Sequence, residues 1–238
     1  MQILGLALLV FVVAYGFGGE RDATTVSAFD PHAFIVVMGG SLSAILVMSS
    51  ATTTFRTFAA LRELIPGLGV MKKTNESMEA ERTQFQKLWL DGNRSQAVAL
   101  AEGSAHPVTQ RMLQLVLSRA PKEGVKAAFT ELQHAEMSRH QPAVGNWELL
   151  AKLAPSMGMV GTITGMIQLF KTMGDADTDL GASISLALLA TLYGVAFGAG
   201  VAGPIGHFLR NHLDERLGVL ERCEQTALEL IAWSGREP

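Results

Sequence analysis

The side chains best suited to handling ions in this chain are hydroxyls. Thr162 and Thr164 fall in the middle of one apolar stretch, and Ser183, Ser185 and Thr191 fall in the next. A threonine oxygen can bond back to a carbonyl of its own helix. Several together can instead line a narrow wet path or hold a cation weakly through oxygen. Spacing leaves both readings open. What these stretches lack is a carboxylate: none contains Asp, Glu, Lys or Arg. Ion pumps and proton relays place an ionisable group at membrane depth. His32 and His207 stand near stretch ends, where an interfacial histidine is ordinary. Either the chain moves no ions, or a partner supplies the titrating group.

The elements that must position these residues show in the distribution of charge. The chain has 238 residues, 48% hydrophobic and 17% charged, against about 25% charged in soluble domains. Charge is absent in blocks, and the blocks at 3–19, 33–55, 153–170 and 180–209 read as four membrane spans, since a bilayer core about 30 Å thick takes roughly 20 helical residues. The last is long enough to tilt. The first lacks the basic n-region and small-residue cleavage site of a signal peptide. A net charge of −3 argues against nucleic-acid binding. The single Cys223 excludes an intrachain disulfide framework or a Cys-rich metal site. It reads as a reduced structural thiol. No catalytic group, metal set or cofactor motif is expected.

Lysine and arginine set the orientation. Each short loop, 20–30 and 171–179, carries one of them, whereas the insert at 56–152 carries 13 and the tail from 210 carries 4. Insert, tail and both termini are therefore expected on the cytoplasmic side of the membrane. The expected organisation is a span pair in 1–55, a cytoplasmic helical domain in 56–152, a second span pair in 153–209 and a cytoplasmic helix in 210–238. Inside the insert, Val125, Ala128, Phe129, Leu132 and Ala135 recur as on one face of a helix. His106-Pro107 and Ala120-Pro121 mark helix boundaries, because the residue before proline is pushed out of the α region. Pro66-Gly67 and Asp91-Gly92-Asn93 are turn signals. Leu209, Leu213, Leu217, Leu220, Ala227 and Ile231 continue the helical period beyond the fourth span.

The last two spans are cut for close approach. Gly158, Gly161 and Gly165 form a narrow strip in the third, and Gly194, Gly198, Gly200, Gly203 and Gly206 lie along the fourth. Pro155 and Pro204 each free a backbone carbonyl near a cytoplasmic end, where a helix can kink or hinge. These features serve a purely structural scaffold as well as a transporter.

The stretch Ala154-Pro155-Ser156-Met157-Gly158-Met159-Val160-Gly161-Thr162 resembles the third-span motif of the MotA/TolQ/ExbB proton-channel superfamily. Ser185-Leu186-Ala187-Leu188-Leu189-Ala190-Thr191-Leu192-Tyr193-Gly194 resembles its fourth-span motif, and Gly203-Pro204-Ile205 the exit of that span. Ile35-Val36-Val37-Met38-Gly39-Gly40-Ser41-Leu42 and the extra N-terminal span pair resemble the MotA/PomA branch, the flagellar stator A subunits. The resemblance implies an all-α membrane protein assembled as a homopentameric ring around the single spans of two B-type subunits. The B subunit carries a membrane Asp and a peptidoglycan-binding domain, which supplies the missing carboxylate.

The same resemblance implies residue roles. Thr162 and Thr191 face the B-subunit helices near the ion path, and Pro155 and Pro204 couple carboxylate protonation to movement of the ring. Sodium-driven relatives commonly carry a second threonine before Thr191. Ala190 stands there instead and removes one oxygen ligand, which favours H⁺ over Na⁺. Arg94 and Glu102 are the nearest candidates for contact with the flagellar rotor switch protein, the alternative being a solvated helix face. His106-Pro107-Val108 and the 84–92 stretch are similar to ExbB/TolQ proteins, which keeps a non-flagellar energiser of an envelope, gliding or defence machine as the rival. The proton reading is checked by a flux or swimming assay with Na⁺ replaced by K⁺: activity is expected to persist, and strict Na⁺ dependence would overturn it.

Overall fold

The computed structural model describes residues 31–64, 70–173 and 180–234. The expected first span at 3–19, the loop at 20–30, the Pro66-Gly67 turn and the acidic residues Asp175, Asp177 and Asp179 lie outside the described residues. The described residues are helical throughout, joined by short turns, with no strand among them. The helices are α1 (Pro31–Met48), α2 (Ala51–Ala59), α3 (Val70–Leu90), α4 (Arg94–Glu102), α5 (Pro107–Leu117), α6 (Lys122–Thr172), α7 (Leu180–Phe197) and α8 (Gly203–Ser234). A 3₁₀ turn, Ala60–Leu64, follows α2, and a π turn, Gly198–Ala202, joins α7 to α8. Three described stretches are long and apolar enough to cross a membrane, within Pro31–Met48, Lys122–Lys171 and Ala187–Ser234.

Two compact units share the chain, and α6 and α8 contribute to both. The first unit takes residues 1–64 and 142–209. In it α1 packs against α7, with Ala33 and Val37 clustered on Ala190, and Ser41 and Ile45 continue its buried stripe, one residue per helical turn. The other faces of these helices stay apolar and exposed, with Ile35, Leu46 and Val47 on α1, Met159, Ile163 and Ile167 on α6, and Leu188, Leu192 and Val195 on α7. Helices apolar all round suit a lipid or helix-packed setting rather than water.

The second unit takes residues 65–141 and 210–238. Its core is ordinary soluble-protein packing: Phe85, Trp89, Met112, Val116, Val125, Phe129, Leu220 and Leu230 are buried together. Of the expected helical face at 125–135, Val125, Ala128 and Phe129 are buried, Leu132 is half-buried and Ala135 is exposed. His106 is extended and α5 begins at Pro107, as the proline rule requires. Gly92, at φ 77°, ends α3 in a left-handed cap closed by Asn93 N–H donating to the Leu88 carbonyl at 2.9 Å. Arg119 takes the same left-handed role at φ 49° after α5, closed by Ala120 N–H to the Leu115 carbonyl at 3.1 Å. Cys223 is buried in this core, and burial pushes its thiol up to about 12.

Charged pairs tie the helices of the second unit. Arg216 on α8 holds Glu136 on α6 through two bonds, 2.6 and 3.1 Å, and reaches the Asn75 oxygen on α3 at 3.4 Å. Asn75 in turn donates to the His212 carbonyl at 3.3 Å. His140 lies 3.5 Å from the same carboxylate. Glu81 on α3 accepts from Ser104 at 2.5 Å and Thr109 at 2.8 Å, fastening the turn between α4 and α5. Burial opposes the charge on Glu136, but hydrogen bonds from His140 and Arg216 outweigh it and hold the carboxyl at about 2 instead of 4.5.

A carboxyl depressed by folding stabilises the folded state fully above its unfolded value, and that contribution fades as pH falls toward the folded one. Melting of the solubilised protein is therefore expected to drop between about pH 5 and pH 2. Glu136→Gln is expected to remove on the order of 3 kcal/mol at neutral pH and to flatten that part of the acid slope, as read by melting temperature against pH.

Candidate functional site

Between α6 and α7 the two hydroxyls singled out from sequence meet. Thr162 Oγ1 and Thr191 Oγ1 are in direct hydrogen-bond contact, each half-buried. Thr162 Oγ1 also lies 2.9 Å from the Ala187 carbonyl across the seam and 3.2 Å from the Gly158 carbonyl one turn back. Thr191 Oγ1 lies 3.5 Å from the same Gly158 carbonyl. Thr162 thus has an acceptor on its own helix and another across the seam on α7. The result is a cluster of four oxygens, two hydroxyl and two carbonyl, in an otherwise apolar seam. Such a cluster can order water or pass a cation, and it has no group that takes up a proton. Thr164 bonds only back along α6, to Val160 and Gly161 carbonyls at 2.5 and 3.1 Å, and is exposed.

The glycines make this contact geometrically possible. A Cβ on Gly158 would stand 2.8 Å from the Ala190 carbonyl oxygen and 3.0 Å from the Thr191 Cα. Gly194 faces the Ala154 carbonyl and the Gly158 Cα just as closely. Only without side chains can the two backbones touch there. Gly161 and Gly165 make room for the methyls of Ala190 and Ala187. Ala190 is buried, and it clusters with Ala33 and Val37 of α1. The structure brings Thr162 to Thr191 and seats residue 190 between Gly161 of α6 and Ala33 and Val37 of α1.

Pro155 sits inside α6 and has no N–H for the Ala151 carbonyl, its helical acceptor. That carbonyl lies where a Cβ on Gly198 would be, 2.8 Å away, with Pro155 Cδ at 2.7 Å. Gly198 is also the first residue of the π turn. Gly203 N–H closes that turn on the Gly198 carbonyl, and Pro204, which can donate nothing, follows at once. A widened turn is how a helix absorbs a missing donor. One proline therefore packs at the seam, and the other, exposed, borders the π turn.

Sequence reasoning missed two features. The π turn was signalled only by the crowding of Gly198, Gly200 and Gly203 ahead of Pro204. The second is a buried polar latch in the first unit. Asn146 Nδ2 donates to Thr57 Oγ1 at 2.8 Å, Ser49 Oγ donates to Asn146 Oδ1 at 3.0 Å, and Trp147 Nε1 donates to the Thr57 carbonyl at 2.9 Å. No local pattern announces pairings about 90 residues apart. Arg94 and Glu102 occupy opposite ends of α4, both exposed, with the Arg94 guanidinium 5.7 Å from the centre of the Trp89 ring.

The fold and this seam define an all-helical membrane protein whose last apolar helices carry an oxygen-lined contact and no carboxylate. Residues 101–222 match the MotA/TolQ/ExbB proton channel family, and the chain belongs to it. Within that family it falls in the MotA/PomA branch. Motility protein A of Aquifex aeolicus (strain VF5) is 27% identical over 231 residues, 89% of this chain and 82% of that protein. Chemotaxis protein PomA of Vibrio alginolyticus is 26% identical over 187 residues, 78% of this chain and 71% of that protein. The solved structure of C. jejuni MotAB superposes with a TM-score of 0.80 at 16% identity, covering 97% of this chain and 89% of that one, and shares its fold.

The seam sets a mutational contrast. Gly158→Ala drives a methyl into backbone and is expected to destabilise by about 1–3 kcal/mol. Gly40→Ala meets only the Met157 thioether, a flexible side chain, and is expected to be close to neutral. Melting temperature and size-exclusion profile of the two variants check this.

Proposed function

We propose that the chain is the A-type subunit of an ion-driven rotary stator. Four spans per copy, both ends in the cytoplasm of a bacterial inner membrane and five copies around two single-span B subunits complete the reading. The observation that carries it is the Thr162–Thr191 oxygen cluster in a seam without a carboxylate: the wall of an ion path whose titrating group comes from elsewhere. A membrane Asp on the B subunit fits that need. Its protonation changes one charge in the field of the membrane, worth about 2.3 kcal/mol per 100 mV. Loss of that charge changes which α6–α7 contacts the partner helix prefers, and inequivalent contacts around the ring give stepwise rotation.

The chain's own residues divide the labour. The glycines hold the two helices at one spacing, and Thr162 and Thr191 offer oxygens to the ion and its water. Pro155 and Pro204 with the π turn give the helix ends freedom to move. The second unit passes the motion to the rotor, with Arg94 and Glu102 as the contacts offered. H⁺ is the ion, carried on the partner's carboxylate.

Proton flux into vesicles holding the chain and its B partner tests this. Flux is expected only with both subunits. Thr191→Ala is expected to lower it about fivefold, as loss of one hydrogen bond of about 1 kcal/mol implies, and Thr191→Ser to keep it. Absence of partner-dependent flux, with Thr191→Ala equally silent, would sink the channel reading.

A further inference from the structure

Two residues at the turn between α3 and α4 carry costs that a simpler sequence would avoid. Trp89 is 3% exposed in the core of the second unit, and its ring stacks on the fully buried Phe85 with centroids 5.6 Å apart. Its Nε1–H is buried and, among the described residues, is the side-chain donor left without a hydrogen-bond partner. An unpaired buried donor opposes folding. A phenylalanine would fill an apolar place of this kind with no donor to satisfy. What an indole adds is the best ring face for a cation, and the Arg94 guanidinium lies over that ring, 5.7 Å from its centre.

Arg94 carries the second cost. It is the first residue of α4, Glu102 is the last, and no other residue of that helix is charged. The positive end of the helix dipole therefore meets a cation and the negative end an anion, the reverse of the favourable order. Asn93, just before Arg94, makes no side-chain cap that would offset this. The backbone nevertheless fixes where Arg94 stands. Gly92 N–H donates to the Trp89 carbonyl at 3.2 Å, and Arg94 N–H donates to the Gly92 carbonyl at 2.9 Å. With Gly92 left-handed at φ 77°, the chain turns sharply enough to bring Arg94 back over the ring. Departures from local rules that converge on one pair of side chains mark a functional position.

We infer that Trp89 is a positioning residue: its ring holds the Arg94 guanidinium at the surface of the second unit, set to receive a carboxylate of the rotor. The inference rests on the stator reading and adds to it the group that orders Arg94. A long, mobile side chain gives up rotamer freedom when it docks on a partner. A cation already drawn to a fixed ring has given up part of that freedom beforehand. Attraction to a ring uses no N–H donor, so a guanidinium held this way keeps the planar fork that a carboxylate takes. Arg94 itself is exposed, whereas the ring beneath it is anchored in the core.

The test uses the intact complex with its B subunit in vesicles, with purified rotor switch protein as the probe. In fluorotryptophan-labelled protein, the fluorine resonance lost in Trp89→Phe belongs to Trp89. That resonance is expected to move in Arg94→Gln, and an unmoved resonance would overturn the pairing. Trp89→Leu is expected to weaken binding of the switch protein about fivefold, and Trp89→Phe by less, following the order of ring strength toward a cation. In an Arg94→Gln background the same two changes are expected to have no further effect, because the coupling between ring and cation is already gone. Equal losses in both backgrounds would make Trp89 a structural residue only and overturn the inference. So would undiminished binding by both Trp89 variants, or an unaltered complex that does not bind the switch protein. Partner-dependent proton flux in the same vesicles separates each of these failures from failure of the stator reading.

Discussion

Backbone contact between α6 and α7 is the constraint on which the rest of the first unit depends. At Gly158 and Gly194 the helices approach until a single methyl on either would strike main chain. In lipid there is no hydrophobic drive between helices, so contact of this closeness is what holds them. It also sets the chemistry. With the axes at this spacing, a threonine hydroxyl on α6 reaches both a hydroxyl and a carbonyl on α7. A slightly wider seam would leave each threonine bonding only to its own helix, as Thr164 does.

The prolines and the π turn extend the same logic to the helix ends. Pro155 leaves the Ala151 carbonyl without its helical donor, and Gly198 lets α7 come against it. The turn that begins at Gly198 is wider than α-helical, so the seam ends in a stretch with weaker hydrogen bonding. Such stretches move at less cost than a regular helix, and they mark functional sites in many proteins. The second unit is built differently. It has an apolar core around Phe85 and Phe129 and charge pairs such as Glu136–Arg216. It is packed in the way a soluble domain is.

Much of this was legible in the sequence, and the reasons differ by element. The apolar blocks and their lengths follow from composition alone, because lipid admits little else. The boundary at Pro107 and the turn at Gly92 follow from local sterics. The Val125–Phe129 face follows from helical period, although the period overshot at Ala135, which is exposed. The oxygen site was half legible: Thr162 and Thr191 could be named, but their meeting could not, since 29 residues separate them. Ala190 was named for a missing oxygen, and the structure gives that position neighbours on α1.

The sequence by itself determined that this chain has membrane-spanning stretches, that they hold hydroxyls and no carboxylate, and that glycines form a strip on the third and recur along the fourth. These are properties of composition and period, so they need no partner residues to be read. Only the tertiary structure decided that Thr162 pairs with Thr191, that Gly198 accepts the bulk of Pro155, and that Asn146 and Trp147 hold Thr57. Each of those depends on the distance between two helices, and that distance is set by packing across the seam rather than by any local stretch of residues.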